Sequence, residues 1–427
     1  MYCQLMNQST TRVRPLHQYT LSNGIRLLLQ ENHTVGLVAG RIFLKNSGSR
    51  WDPREKAGVF NLLSRVITKG TERYNAAQIA ENVESLGAAL SSDLTNDYFL
   101  LGLKCVTADF AEILELAAEI LRNPTFPAEQ VDLEKKLTLQ SILSQREQPF
   151  NLAFAQLREN MYDQHPYALS VLGIEESLSS VTSFDLQKLH QGHFRPDNLV
   201  VSLSGNIDLQ EAISRLENVF GDWKNPSLQP TQLTLPQVPN QPKEDFIFQD
   251  SQQSIIMLGY FAPSVFNQDY VPLKLLNTYL GNGLSSRLFV ELREKRGLAY
   301  DVSAIFPTRL DLSQLILYIG TAPANSQVAQ DGLRHEAERL IEKQLSIEEL
   351  QSAKNKLLGQ YALGKQTNSE IAHINGYYEA LGLGVNFDTT FTELVKQVSP
   401  GMIQDVAIKY ITQPYLSIVG PKKNEKN

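Results

Sequence analysis

One succession of elements runs through the chain twice. A helix, a glycine-bearing segment, a strand pair, an amphipathic helix and a long helix follow in that order, and the order returns beyond residue 243. The glycine segments align, Glu84-Ser85-Leu86-Gly87-Ala88-Ala89 matching Glu294-Lys295-Arg296-Gly297-Leu298-Ala299 at an offset of 210 residues. Between the halves, residues 224–243 are rich in proline, glutamine and asparagine, with Pro226, Pro230, Pro236, Pro239 and Pro242, the composition of an extended, solvated linker. The repeat predicts two similar domains, 1–223 and 244–427, joined by the linker 224–243. Strands grouped with long helices, rather than strict βαβ alternation, predict an α+β fold, each domain a mostly antiparallel sheet with helices packed on it.

Local patterning fills in the elements. Tyr19–Leu29 reads as a hairpin around Asn23-Gly24, and Leu37–Leu44 as a strand. Helices are predicted at Lys56–Thr68, at Asn75–Leu86 with Asn75 as N-cap, and at Ala108–Arg122, where Ile113, Leu114, Ala117, Ile120 and Leu121 share a face. Leu90–Val106 alternates as a long strand or hairpin, Ala128–Met161 as one long helical stretch, Asn198–Ser204 as a strand and Leu209–Phe220 as a helix. Beyond the linker the pattern predicts strands at Ser254–Phe261, Tyr300–Phe306 and Leu312–Tyr318. It predicts helices at Val271–Leu280, Ser286–Lys295, Val328–Gln344 and Ile347–Leu363.

Composition narrows the class. An apolar fraction of 42% and a charged fraction of 20% over 427 residues are those of a globular protein with a large core. The net charge of −7 argues against a nucleic-acid surface. Cys3 and Cys105 lie too far apart in sequence to suggest a disulfide framework or a cysteine metal site. Met1–Thr11 has no basic stretch followed by an apolar one, and no apolar run approaches a membrane span. The expectation is a cytoplasmic protein with no membrane or nucleic-acid partner.

Residues 58–71 read Gly58-Val59-Phe60-Asn61-Leu62-Leu63-Ser64-Arg65-Val66-Ile67-Thr68-Lys69-Gly70-Thr71. The stretch resembles the zinc-binding helix of the insulinase/pitrilysin metallopeptidases, which carry H-x-x-E-H between the same leading glycine and trailing K-G-T. The two histidine positions hold Asn61 and Arg65, and the position of the catalytic glutamate holds Ser64. The family's spacing to its third ligand, a glutamate, lands on Ser141. Catalytic zinc needs three protein donors with free lone pairs and one open position for water. Asn is a poor zinc donor, and Arg is permanently protonated and puts a cation where the metal would sit. The resemblance therefore implies no metal and no cofactor in this chain, and no peptide hydrolysis by it alone.

The resemblance spans nearly the whole chain. It includes Gln164-His165-Pro166-Tyr167 with Leu172-Gly173, and Phe194-Arg195-Pro196-Asp197-Asn198 before a Val-Val strand. Its most specific stretch runs from Leu280-Gly281-Asn282-Gly283-Leu284-Ser285-Ser286-Arg287-Leu288-Phe289 to Leu292-Arg293-Glu294-Lys295-Arg296-Gly297-Leu298-Ala299-Tyr300. It is similar to the family's S-R-L-[FY]…R-E-x-x-G-L-x-Y block, whose Arg and Tyr contact bound peptide; both are present, as Arg293 and Tyr300. In related bacterial enzymes one subunit carries the zinc motif and the other the Arg/Tyr pair. The resemblance thus implies a non-catalytic subunit of a heterodimeric zinc oligopeptidase or processing peptidase. Its partner would be a homologous zinc-bearing subunit, and Arg293 and Tyr300 would bind peptide substrates and stabilise the transition state at the partner's zinc. Mitochondrial processing peptidase pairs subunits similarly, but its zinc-less subunit has a long glycine-rich loop where this chain has only Gly281-Asn282-Gly283. Alternatives are a structural scaffold subunit or a peptide-binding homodimer without hydrolysis.

Plainer readings stand beside these. Arg293 could pair with Glu291, Glu294 or another acid on a solvated helix, and Tyr300 could fill a core. His190 and His193 lack a third ligand nearby and read as packing or surface residues, and His165 as part of a turn. Gly281 and Gly283 are not followed by the Lys-Ser/Thr of a phosphate loop, and read as a turn. Arg65 requires an acid that the sequence alone does not identify.

Overall fold

A computed structural model describes residues 15–227, 233–239 and 241–421. Cys3, the tail Met1–Thr11 and linker positions 228–232 and 240 lie outside them. The first sheet holds β1 (Leu16–Thr20), β2 (Arg26–Glu31), β3 (Leu37–Leu44), β4 (Ala89–Leu94), β5 (Phe99–Val106) and β6 (Leu199–Gly205), in the order β1-β2-β6-β3-β5-β4. The second holds β7 (Glu244–Phe248), β8 (Ser254–Ala262), β9 (Asp301–Ile305), β10 (Ser313–Thr321) and β11 (Tyr415–Gly420), in the order β7-β11-β8-β10-β9.

With β1 set aside, the two orders coincide strand for strand: β2-β6-β3-β5-β4 against β7-β11-β8-β10-β9. The corresponding pairs β2–β6 and β7–β11 are parallel, and every other pairing is antiparallel. The fold is α+β, and the repeat seen in sequence is a repeat of topology. The helices are α1 (Val59–Val66), α2 (Ala76–Ser85), α3 (Phe110–Arg122), α4 (Ala128–Glu147), α5 (Pro149–Tyr162), α6 (Glu175–Ser179), α7 (Ser183–His193) and α8 (Leu209–Phe220) in the first half. The second half adds α9 (Tyr270–Gly281), α10 (Ser326–Glu342), α11 (Ile347–Leu363), α12 (Asn368–Ala380), α13 (Phe387–Gln397) and α14 (Pro400–Tyr410). None is long and apolar enough to cross a membrane.

Both sheets are buried on both faces, so their central strands read as nearly continuous apolar runs. On β8, Ile256, Leu258 and Tyr260 enter the core under the second half's helices, while Ile255 and Met257 point the other way. The other way lies α5, a first-half helix, whose Ala153, Leu157 and Met161 pack on the second sheet. The mirror contact covers the first sheet, where Leu28, Phe43, Leu100 and Val200 meet Ala380 and Leu381 at the end of α12. Each half lends a helix to the back of the other's sheet. Close approach depends on two glycines: a Cβ on Gly259 would lie 2.7 Å from the Met161 sulfur, and one on Gly376 2.5 Å from the Phe43 ring.

Three local expectations are revised. The stretch Ala128–Met161 is two helices, because Pro149 cannot continue α4 and instead begins α5 at its first turn. The linker is not wholly solvated. Val238 joins the apolar cluster under α5, and the Pro239 carbonyl accepts a hydrogen bond from Tyr415 at 2.8 Å. The segment Ser286–Lys295 is not a regular helix, as described next.

Candidate functional site

Helix α1 starts abruptly at Gly58 (φ 95°). The Asp52 carboxylate accepts the N–H groups of Gly58 at 2.8 Å and Phe60 at 3.0 Å, satisfying orphan donors of the first turn. Burial pushes the Asp52 carboxyl up to about 7, against the pull of those two bonds. A Cβ on Gly58 would meet the Leu172 carbonyl at 2.5 Å, and one on Gly173 the Ala57 carbonyl at 2.2 Å. The leading glycine and the Leu172-Gly173 pair are thus two sides of one backbone contact that holds the helix entrance.

The three motif residues of α1 meet α4 and β4. Arg65 Nε donates to Asn61 Oδ1 at 3.2 Å, which ties the two former ligand positions to each other. Arg65 Nη1 lies 3.8 Å from a carboxylate oxygen of Glu134, and Lys69 Nζ lies 3.6 Å from the other. Glu134 on α4 is buried, and it is the acid that Arg65 requires. Ser64 is buried, and its carbonyl accepts from Ser92 Oγ of β4 at 2.5 Å. Ser141 Oγ turns back to the Leu137 carbonyl of its own helix at 2.9 Å. Asn61, Arg65 and Ser141 offer no donor set for zinc, and among the described residues no three His, Cys, Asp or Glu side chains gather as metal ligands. The helix frame survives, stabilised by a side-chain cation and a carboxylate.

The second signature sits on different scaffolding. After one α-helical turn, Phe289–Glu294 winds as a π-helix, with the Lys295 N–H reaching the Val290 carbonyl at 3.0 Å. Such turns insert one extra residue and re-aim the side chains around them, and they recur at functional sites. Here Glu291 is taken by Arg287 at 2.7 Å and Lys295 at 2.8 Å, and Arg287 also pairs with Glu336 at 2.7 Å. Arg293 forms an ion pair with neither Glu291 nor Glu294. It is exposed and lies over the Phe289 ring at 4.9 Å. Leu298 is pinned by bonds from its N–H to the Leu292 carbonyl at 2.8 Å and from Thr321 Oγ1 to its own carbonyl at 2.6 Å. Tyr300, held through its N–H to Gly320 at 2.8 Å, precedes edge strand β9, and its side chain is 61% exposed. It fills no core, and its hydroxyl bonds to no described residue.

The remaining candidates are structural. His190 Nε2 bonds the Leu121 carbonyl at 2.9 Å, and burial pushes its pKa down to about 4. His193 Nδ1 bonds the Asn46 carbonyl at 2.8 Å. His165 Nδ1 accepts the Tyr167 N–H at 3.1 Å, capping a turn. Gly281 packs so closely on β9 that a Cβ would lie 1.9 Å from the Ala304 nitrogen, which explains that glycine without any phosphate. Sequence reasoning missed Glu134, although it lies seven positions before Ser141, two turns along the same helix.

Comparison with known proteins agrees with the geometry. Residues 26–175 match the family model described as insulinase (peptidase family M16), and residues 180–357 match the one described as peptidase M16 inactive domain. A Bacillus subtilis protein described as an uncharacterized zinc protease, YmxG, is 27% identical over 412 residues, covering 96% of this chain and 99% of the relative. An uncharacterized zinc protease of Rickettsia felis is 28% identical, covering 79% of this chain and 81% of its own. Among solved structures, a Helicobacter pylori protease superposes with a TM-score of 0.90 at 20% identity, and a peptidase M16 inactive domain from Pseudomonas fluorescens with 0.87 at 23%. Each covers 96% of this chain and 100% of its own.

The chain belongs to the insulinase (peptidase M16) family. With Asn61, Ser64, Arg65 and Ser141 at the metal and base positions, it is a non-catalytic member.

Proposed function

We propose that this chain is the non-catalytic subunit of a two-subunit zinc oligopeptidase, working in the cytoplasm beside a homologous partner that carries the zinc. Arg293 and Tyr300 would reach the partner's bound peptide and stabilise the oxyanion that develops at the scissile carbonyl. Zinc in the partner would polarise that carbonyl; the Tyr300 hydroxyl and the Arg293 fork would add donors beside it.

One observation carries the reading. Arg293 and Tyr300 are both exposed and unspent, in a molecule that pairs Arg287, Glu291 and Lys295 around them. Edge strand β9 adds to it, since its outer backbone groups can pair with an extended peptide. The near full-length likeness to relatives described as zinc proteases supports the substrate class.

Steady-state kinetics of the complex with the zinc-bearing homologue test the reading. Tyr300→Phe lowers kcat more than it raises KM, at or below the roughly 100–1000-fold that losing an oxyanion donor costs elsewhere. Arg293→Ala lowers kcat and raises KM, because it also removes a peptide contact. Wild-type rates for both variants in an assembled complex would reduce the chain to a scaffold.

A further inference from the structure

We propose that a cavity between α4, α5 and the loop at 168–174 is a binding site for an organic carboxylate with an apolar body, its head group held by Arg158 and Arg54. The cavity shares no lining residue with Arg293, Tyr300 or residues 58–71, although its Gly173 packs on Gly58, and the proposal does not depend on the partner subunit.

The cavity holds about 500 Å³, within the range of small-molecule sites. Ile142, Leu152 and Phe154 supply apolar wall, and Arg54, Arg146 and Arg158 enter it. Gln145, Asn151 and Ser170 line it too, so apolar wall and polar or cationic groups share the cavity, a mixture that suits an amphipathic anion.

Arg158 is the central feature. Its guanidinium lies over Phe154 at 4.8 Å, and Nη1 donates to the Leu169 carbonyl at 3.3 Å. Its Nε is shut off from solvent and makes no hydrogen bond. No described carboxylate comes within ion-pair distance of it. Burial, and then the nearby Arg309 cation, push its pKa down to about 10, the response of a guanidinium without a counter-charge. A partly buried cation without a counter-charge is stabilised by an anion that reaches the part of its guanidinium facing the cavity.

The neighbouring charges leave that role open. Arg146 is paired with Glu175 at 3.6 Å. Arg54 donates to the Asp163 carbonyl at 3.0 Å and has no acidic partner among the described residues. Glu159 also lines the cavity but is exposed and pairs with none of the three arginines. A carboxylate at the cavity's polar end would meet the planar fork of Arg158 in the bidentate geometry that arginine favours, while its apolar body covered Leu152 and Phe154.

Octanoate is the probe, with 1-octanol as its uncharged counterpart and inorganic phosphate as a head group without a tail. Calorimetric titration of the full chain is expected to show saturable octanoate binding, and saturating octanoate to raise Tm by a few degrees. Octanol gives neither effect, and phosphate binds at least tenfold more weakly. Arg158→Met loses about tenfold or more in octanoate affinity, in line with a charge-assisted bond. Ala155→Trp, which fills the cavity and leaves the arginines in place, also loses binding. It keeps the test decisive should the Arg158 variant not fold. No saturable binding to the wild type overturns the proposal. So does equal binding by wild type and both variants, or phosphate binding as tightly as octanoate.

Discussion

Arg65 occupies a ligand position of a zinc helix, and Glu134 answers it from α4. A helix pair built around a metal cation keeps its register when a side-chain cation replaces the metal, provided an acid is at hand. Glu134 is buried and shared between Arg65 and Lys69. Glu134→Gln leaves two cations facing each other. Because both are over a third exposed, water screens much of their repulsion, and the expected loss is about 1 kcal/mol. Urea unfolding reads this directly, and Arg65→Leu in the same background should recover part of it; no recovery would mean the cost comes from elsewhere. His190 gives a prediction in pH. Burial lowers its pKa from 6.5 to about 4, so the unfolded chain binds this proton first. Its stabilising contribution is complete above pH 6.5, is lost as the pH falls, and levels off below about 4. The swing is up to about 3 kcal/mol, and His190→Gln, which retains an N–H donor for Leu121, should remove it from the unfolding free energy over that window. An unchanged slope would contradict the assignment. At this scale the sequence showed which residues were missing from the zinc site and which of the Arg/Tyr pair remained. It did not show that Arg293 is free of an ion pair. Glu291 and Glu294, two and one positions away, do not face it on a regular helix, but an acid on a neighbouring element could have paired with it, and only the fold excludes that among the described residues.

At the scale of elements, patterns that depend on neighbours in sequence were legible and those that depend on distant partners were not. The capping box of Asn75 and Gln78 opens α2 where the N-cap rule placed it. The spacing of Ile113, Leu114, Ala117, Ile120 and Leu121 gave α3 its buried face. Nothing in the local pattern of α5 or α12 says which sheet each covers, since an apolar helix face fits either. The exchange follows from the third dimension: each sheet has a second apolar face, and the helix in position to cover it belongs to the other half. Two substitutions probe it. Leu157 of α5 is fully buried against the second sheet, so Leu157→Ala should cost about 2–5 kcal/mol, the range for a core leucine. Gly376→Val drives a side chain into Phe43 and Ser202 of the first sheet, with a loss of about 1–3 kcal/mol from overpacking. Since each change acts on the sheet of the opposite half, both halves should lose stability together in one thermal transition. Separate transitions, with only one half shifted, would show that the exchanged helices do not couple the halves.

The whole molecule presents an unfinished peptidase. Its first half has the frame of a zinc site without donors, and its second half exposes Arg293 and Tyr300, the groups proposed above as donors for a developing oxyanion. In a single chain these two facts would mean only loss. Across two chains they would be complementary, given a homologous partner that shares this fold and carries the zinc donors on its own α1. The partner's zinc-bearing first half would then face this chain's second half. Mixed in equal amounts, the two proteins should elute as one species with the summed mass by light scattering, carrying about one zinc per pair and gaining chelator-sensitive peptidase activity that neither has alone at that level. Elemental analysis of this chain by itself should find no stoichiometric zinc, since Asn61, Arg65 and Ser141 cannot supply a ligand set. One zinc per chain in the isolated protein would refute the reading of the site. Separate species on mixing, with no gain in activity, would refute the pairing and leave Arg293 and Tyr300 to bind peptide in this chain alone.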